Sequence, residues 1–93
     1  MTVGLLTLEF QLPGCDTLKE KRHRLKGVIE KVRTKFNVSV SEVDFQDLHK
    51  SAMIGVAMVN SERTLIEQVF ARVEEFFASG DGLVIVNTGL EWF

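Results

Sequence analysis

The side chains that could do catalytic or metal chemistry are few. Asp44, Asp47 and His49 lie close together and carry ligand atoms that bind divalent metals, but their spacing matches no recognised metal motif. Cys15 precedes a predicted helix, and only His23 and His49 could serve it as a general base. We therefore predict an ordinary thiol, no catalytic residue, no metal and no cofactor. Asp44, Asp47 and His49 are retained as a possible ligand-binding cluster.

A basic stretch offers a different chemistry, the binding of phosphate groups. Residues 17–36 contain 8 of the 11 Lys and Arg residues and two glutamates, so this stretch carries +6. Because the whole chain carries −2 at pH 7, the other residues together carry −8. Ammonium and guanidinium groups contact phosphate oxygens in nucleic acids. The candidate phosphate-binding residues are Lys19, Lys21, Arg22, Arg24, Lys26, Lys31, Arg33 and Lys35.

One long helix, from Thr17 to Phe36, is predicted to carry these cations. Thr17 and Glu20 fit a capping box, in which each side chain satisfies a backbone N–H of the first turn. Leu18, Leu25, Ile29, Val32 and Phe36 form an apolar stripe at the helical period. The cations then border this stripe on two flanks: Lys19, Arg22, Lys26 and Arg33 on one, and Lys21, Arg24, Lys31 and Lys35 on the other.

The other elements follow from apolar periodicity and turn residues. Strands are predicted for Thr2 to Leu12, Asn37 to about Phe45, Ala52 to Val59 and Leu83 to Leu90. The second strand should contain a bulge near Ser41 and Glu42, where its apolar alternation slips by one residue. A second helix, capped by Asn60 or Ser61, should run to about Ala78.

The order β-α-β-β-α-β predicts an α+β, ferredoxin-like fold, with a four-stranded antiparallel sheet and two helices on one face. A length of 93 residues fits a single domain over residues 1–93. The single cysteine excludes an internal disulfide, and no apolar run reaches the ~18 residues of a membrane span. We therefore expect a cytoplasmic protein that does not enter a membrane.

The topology also predicts which loops meet at one end of the sheet. These are the first strand–helix loop, the connection between the second and third strands, and the last helix–strand turn. At this end, three cations of the first helix are expected near the possible ligand-binding cluster and Asp81, most simply as a structural network of ion pairs. The cations are Lys19, Lys21 and Arg22, and the cluster is Asp44, Asp47 and His49.

The sheet face opposite the helices is expected to be apolar. Val3 and Leu5 of the first strand should lie on it, together with one of two apolar sets of the third strand. An exposed face of this kind favours a homodimer through the sheet, unless the C-terminal residues 90–93 cover it.

Two sequence runs, T-L-K-E-K-R (17–22) and E-V-D-F-Q-D-L (42–48), resemble the YlxP-like family of small bacterial proteins. The resemblance extends over nearly the whole chain. It implies a ferredoxin-like fold, a bacterial cytoplasmic protein and a gene commonly placed among translation and ribosome-maturation genes, with no established biochemical activity. Family members often carry an aromatic residue after the D-L pair, where this chain has His49.

Several classes of function are compatible with this fold. Acylphosphatases need an arginine in the loop after the first strand, and L-P-G-C-D-T contains none. A regulatory ligand-binding module of the ACT type usually accompanies a catalytic domain. We therefore predict a non-enzymatic protein that binds RNA or a ribosomal particle through the basic helix. The alternative is a homo-oligomeric protein-interaction module whose basic helix docks an acidic protein.

Overall fold

The predicted elements form in the predicted order. The structure, a computed structural model, describes residues 1–93. The strands are β1 (Thr2–Gln11), β2 (Ser39–Asp44), β3 (Ser51–Asn60) and β4 (Val84–Trp92), and the helices are α1 (Leu18–Lys35) and α2 (Arg63–Ala78). The strands form one antiparallel sheet in the order β2-β3-β1-β4, which confirms the ferredoxin-like fold. Neither helix has the length and apolarity needed to cross a membrane.

The core lies between the sheet and the two helices. β1 and β3 pair along their whole length, from Thr2 opposite Asn60 to Gln11 opposite Ser51. Alternate residues of these central strands are buried, as expected when side chains alternate between the two faces of a strand. The main core side chains are Leu6, Leu8, Phe10, Ile54 and Val56 from the sheet, and Leu25, Val32, Ile66, Phe70, Val73 and Phe77 from the helices.

At one end of this core the sheet approaches α2 closely because Gly4 has no side chain. A Cβ atom at Gly4 would lie 2.9 Å from side-chain atoms of Ile66, Phe70 and Trp92. Trp92 packs over Phe70 with 6.4 Å between ring centroids, and the Arg63 guanidinium lies 4.3 Å from the Trp92 ring. The last strand therefore extends beyond the predicted end at Leu90, and Trp92 closes the core.

The two helices begin differently. Thr17 caps α1, since its hydroxyl accepts a hydrogen bond from the Glu20 N–H at 3.1 Å. The Glu20 carboxylate accepts from the Asp16 N–H, one residue before the expected position. The predicted cap of α2 is wrong: the helix begins after Glu62, which makes no side-chain cap, and the Asn60 side chain instead accepts from the Glu62 N–H.

The predicted irregularity in β2 is present, slightly later than expected. The register against β3 shifts between Glu42 and Asp44, which leaves Val43 unpaired. Val43 packs over Gly55 on the side of the sheet away from the helices, where a Cβ atom of Gly55 would lie 3.0 Å from it. The bulge therefore directs one valine of the edge strand over a central glycine.

Candidate phosphate-binding surface on helix α1

Four of the predicted cations form an open row on the flank of α1. Lys19, Arg22, Lys26 and Arg33 are all exposed, and none forms a salt bridge. Arg33 also donates to the Val40 carbonyl at 2.8 Å, which anchors this end of the row to β2. With a rise of about 1.5 Å per residue, the row extends over roughly 20 Å. This row, called the basic flank below, keeps its charges available for an anion.

Lys21 does not belong to any surface row, and its prediction as a phosphate-binding residue is wrong. Its side chain is only 1% exposed. The ammonium donates to the carbonyls of Phe45 and Leu48, both at 2.6 Å, and lies 2.7 Å from a carboxylate oxygen of Glu42. The ammonium thus donates two hydrogen bonds to carbonyls and is held to the Glu42 carboxylate by charge, away from any surface anion.

Arg24 also forms its contacts with other groups of this protein. Its guanidinium donates to the Pro13 and Gly82 carbonyls and to the Glu20 carboxylate. The pKa of Glu20 is lowered, first by the hydrogen bond from the Asp16 N–H and then by the Arg24 side chain. Arg24 thus connects the start of α1 to the loops on either side, so it has less freedom than the basic flank to meet a phosphate.

The remaining two cations, Lys31 and Lys35, lie on the other flank, beside α2. The Lys35 ammonium lies 5.9 Å from the centroid of the Phe36 ring and 5.3 Å from that of Phe76. A shallow groove of about 510 Å³ contains both lysines; its lining is Gly27, Glu30, Lys31, Thr34, Lys35 and Phe76. Both remain predicted phosphate contacts, in a setting where Glu30 opposes them.

The possible ligand-binding cluster of Asp44, Asp47 and His49 stays a prediction. No group of three or more His, Cys, Asp and Glu side chains is arranged to hold a metal ion. The Asp44 carboxylate accepts from the Phe45 N–H at 2.8 Å, and neither Asp47 nor His49 forms a salt bridge. The expected ion pairs between these residues and Lys19, Lys21 and Arg22 do not form.

The contact that does form at this end was missed by sequence reasoning. Lys21 binds Glu42 and the loop that follows β2, in which Phe45 has a φ of 63°. A bulky residue in this left-handed region is uncommon and requires support from its surroundings. The available signal was that Lys21 and Glu42 lie in the two runs that carry the family resemblance, so these runs meet in space.

The open sheet face has the predicted apolar centre, and the structure identifies the set on β3. Val3 pairs with Val59 and Leu5 with Ala57, so these four residues share the face away from the core. The opposite set, Ala52, Ile54, Val56 and Met58, is buried. Leu90 and Trp92 do not cover this face, because they pair with the core-facing Leu6 and Gly4, whereas Phe93 pairs with Val3 and lies at the edge of the face, 71% exposed.

The chain is thus an α+β ferredoxin-like domain with a basic flank on its first helix. Residues 3–89 match the model of a protein family of unknown function, DUF503, and the chain belongs to this family. It is 36% identical over 91 residues to the uncharacterized protein YlxP of Bacillus subtilis (strain 168), covering 98% of this chain and 99% of that protein. The resemblance seen in the sequence is therefore confirmed.

A solved structure supports the fold independently of sequence. The crystal structure of the putative chlorite dismutase TA0507 matches with a TM-score of 0.57 at 9% sequence identity. The match covers 99% of this chain and 44% of that one, so this chain spans less than half of that neighbour. A likeness at this level of identity concerns the fold alone.

Proposed function

We propose that this protein is a non-enzymatic, cytoplasmic RNA-binding protein that contacts RNA, free or in a ribosomal particle, through the phosphate backbone. The observation that carries the proposal is the basic flank. Four exposed cations follow one edge of α1 without a carboxylate partner, although the whole chain carries −2. A row of cations without carboxylate partners, on a protein that is acidic as a whole, favours a polyanionic partner that follows the row.

Most aromatic side chains are placed away from this flank and take part in packing. Phe10, Phe70 and Phe77 are buried, while Phe36 and Phe76 contact each other edge to face. Base recognition in single-stranded RNA usually relies on exposed aromatic rings. The proposed contact is therefore mainly electrostatic, with little dependence on RNA sequence.

The proposal predicts a strong dependence of RNA affinity on salt. Four neutralised phosphates give a slope of log K against log[salt] of about −3 to −4. The R22E/K26E variant should weaken binding strongly and make the slope shallower by about 2, since each cation contributes about one unit. Filter binding or fluorescence anisotropy over a salt series measures both quantities.

A matched control separates position from net charge. The K50E/R72E variant makes the same change in charge, with one Lys and one Arg replaced, but both residues lie outside α1. If the two double variants lose RNA affinity equally, the basic flank is not the site. If the wild-type protein binds polyglutamate in preference to RNA, the result would instead favour the alternative, an acidic protein partner.

A further inference from the structure

The two edges of the sheet differ in how they are protected against pairing with another strand. β2 is six residues long, is interrupted by the bulge at Val43, and has its Val40 carbonyl occupied by Arg33. β4 is nine residues long and has Glu91 as its single charged residue. Edge strands are normally protected by charges, prolines or bulges. Beyond an irregularity near its start, β4 has little of this protection.

Exposed apolar side chains are concentrated on the same strand. Val84, Val86 and Leu90 are 48%, 46% and 49% exposed, and Phe93, directly after β4, is 71% exposed. Leu90 lies on the face of the sheet that carries the helices, because it pairs with the buried Leu6. The helices therefore leave this part of the sheet uncovered.

The hydrogen-bond pattern shows which backbone groups point outward from β4. Phe93 and Val3 exchange two bonds: the Phe93 N–H donates at 2.8 Å and the Val3 N–H donates at 3.2 Å. Hydrogen-bonded and non-hydrogen-bonded pairs alternate along an antiparallel ladder. Thr88, Leu90 and Trp92 must therefore direct their N–H and C=O groups away from β1. The outward Thr88 N–H donates to the neighbouring Asn87 side chain at 3.0 Å, a local bond that pairing with a second strand must replace.

We infer that β4 is a dimerisation edge, on which residues 87–93 pair antiparallel with the same residues of a second copy of this chain. A strand related to itself by a two-fold axis is antiparallel to its copy, so the outward groups of one copy meet those of the other. The two four-stranded sheets then form one continuous sheet of eight strands.

The side chains of this segment fit such a pairing with the axis at Leu90. Leu90 then lies opposite its own copy, Thr88 lies opposite Trp92, and Glu91 lies opposite Gly89. The segment's one acidic side chain is thus paired with a glycine and does not face its equivalent, which would be unfavourable. The irregularity opposite Glu9 and Phe10 lies before residue 87 and stays outside the paired segment.

The L90K variant tests this interface. It places two like charges at the axis and removes a pair of apolar contacts, so the dimer dissociation constant should rise roughly tenfold or more. L48K is the matched control. Leu48 is 50% exposed, like Leu90, but it lies in the connection between β2 and β3 and not on β4. Sedimentation equilibrium measures the constants, and Trp92 fluorescence checks that each variant is folded.

V59K distinguishes this edge from the dimer predicted through the open sheet face. Val59 is 55% exposed on that face, and the inference requires that its substitution leaves the dimer intact. A dimer lost in V59K and kept in L90K would overturn the edge assignment. A wild-type protein that stays monomeric at about 100 μM, well above the range of specific complexes, would overturn both modes.

Hydrogen exchange of the wild-type protein gives a second test that needs no variant. The amide of Leu90 should exchange more slowly as protein concentration rises, because pairing protects an outward N–H. The amide of Glu91, which the same alternation directs toward β1, should be protected in monomer and dimer alike. Exchange at Leu90 that is independent of concentration while the protein is dimeric would contradict the inference.

Discussion

At the scale of single residues, Lys21 shows how position decides what a charged side chain does. It lies between exposed cations in the sequence, yet its ammonium is enclosed by two carbonyls and a carboxylate. Arg22 beside it is exposed and unpaired. The difference of one residue, about 100° around the helix axis, separates a structural cation from a candidate binding cation.

Substitution of Lys21 by methionine should therefore destabilise the fold and leave RNA contact untouched in the folded fraction. The K21M variant leaves the Glu42 carboxylate and the Phe45 and Leu48 carbonyls without their partner. Loss of one member of a buried pair costs roughly 3 kcal/mol or more in free energy of unfolding. Urea denaturation followed by Trp92 fluorescence measures this loss.

K19M is the control for that experiment, because Lys19 is exposed on the same helix and makes no salt bridge. Its effect on the free energy of unfolding should stay within about 0.5 kcal/mol. Equal stability of K19M and K21M would show that the buried contacts of Lys21 contribute nothing net.

At the scale of elements, the start of α1 should make stability depend on pH. The pKa of Glu20 is lowered in the folded protein, mainly by the Asp16 N–H and then by Arg24. A lowered folded-state pKa contributes stability above the unfolded value of 4.5, and this contribution disappears as pH falls through the folded value. Wild type should thus be more stable than E20Q near pH 7, with the gap closing on acidification.

Urea midpoints of wild type and E20Q, measured from about pH 7 down to about pH 3, check this prediction. E30Q serves as the control, since Glu30 is an exposed glutamate of the same helix without a salt bridge. A gap between wild type and E20Q that is constant over the range would mean that the Glu20 charge adds no stability.

The elements themselves were predictable from the sequence because they depend on local patterns. The alternation in β1, the apolar run of β3 and the Thr17 cap are all found where periodicity and capping place them. The start of α2 was missed because Asn60 and Ser61 are both residues that cap helices well. The residue at which α2 begins depends on where β3 ends. Local residue preference cannot decide between such neighbours.

The candidate site was predictable only in part, for a related reason. The helical period placed Lys19, Arg22, Lys26 and Arg33 on one exposed flank, as the structure has them. It could not show that the loop after β2 folds over Lys21, because this contact joins residues 24 and 27 positions apart. Long-range contacts of an irregular loop leave no periodic signal.

At the scale of the whole molecule, the basic flank of α1 and the dimerisation edge on β4 lie at opposite edges of the sheet. α1 packs against β2, and β4 forms the other edge. Directly opposite residues in an antiparallel pair share a face, so a dimer through β4 keeps all four helices on one side of the continuous sheet. Seven strand spacings of about 4.8 Å then separate the two β2 strands, and with them the two α1 helices, by roughly 34 Å.

This arrangement predicts bivalent RNA binding, which depends on both proposals. An RNA of about 30 nucleotides can reach both basic flanks, whereas one of about 6 can occupy only one, and a second contact on the same strand raises the overall affinity by tenfold or more. L90K should therefore weaken binding of the long RNA toward that of the short RNA, while binding of the short RNA stays as in wild type. Anisotropy titrations with both RNAs, at protein concentrations above the dimer dissociation constant, measure this difference. If wild type and L90K show the same advantage for long RNA, the two flanks do not act together, and the gain comes from the larger number of sites on a longer strand.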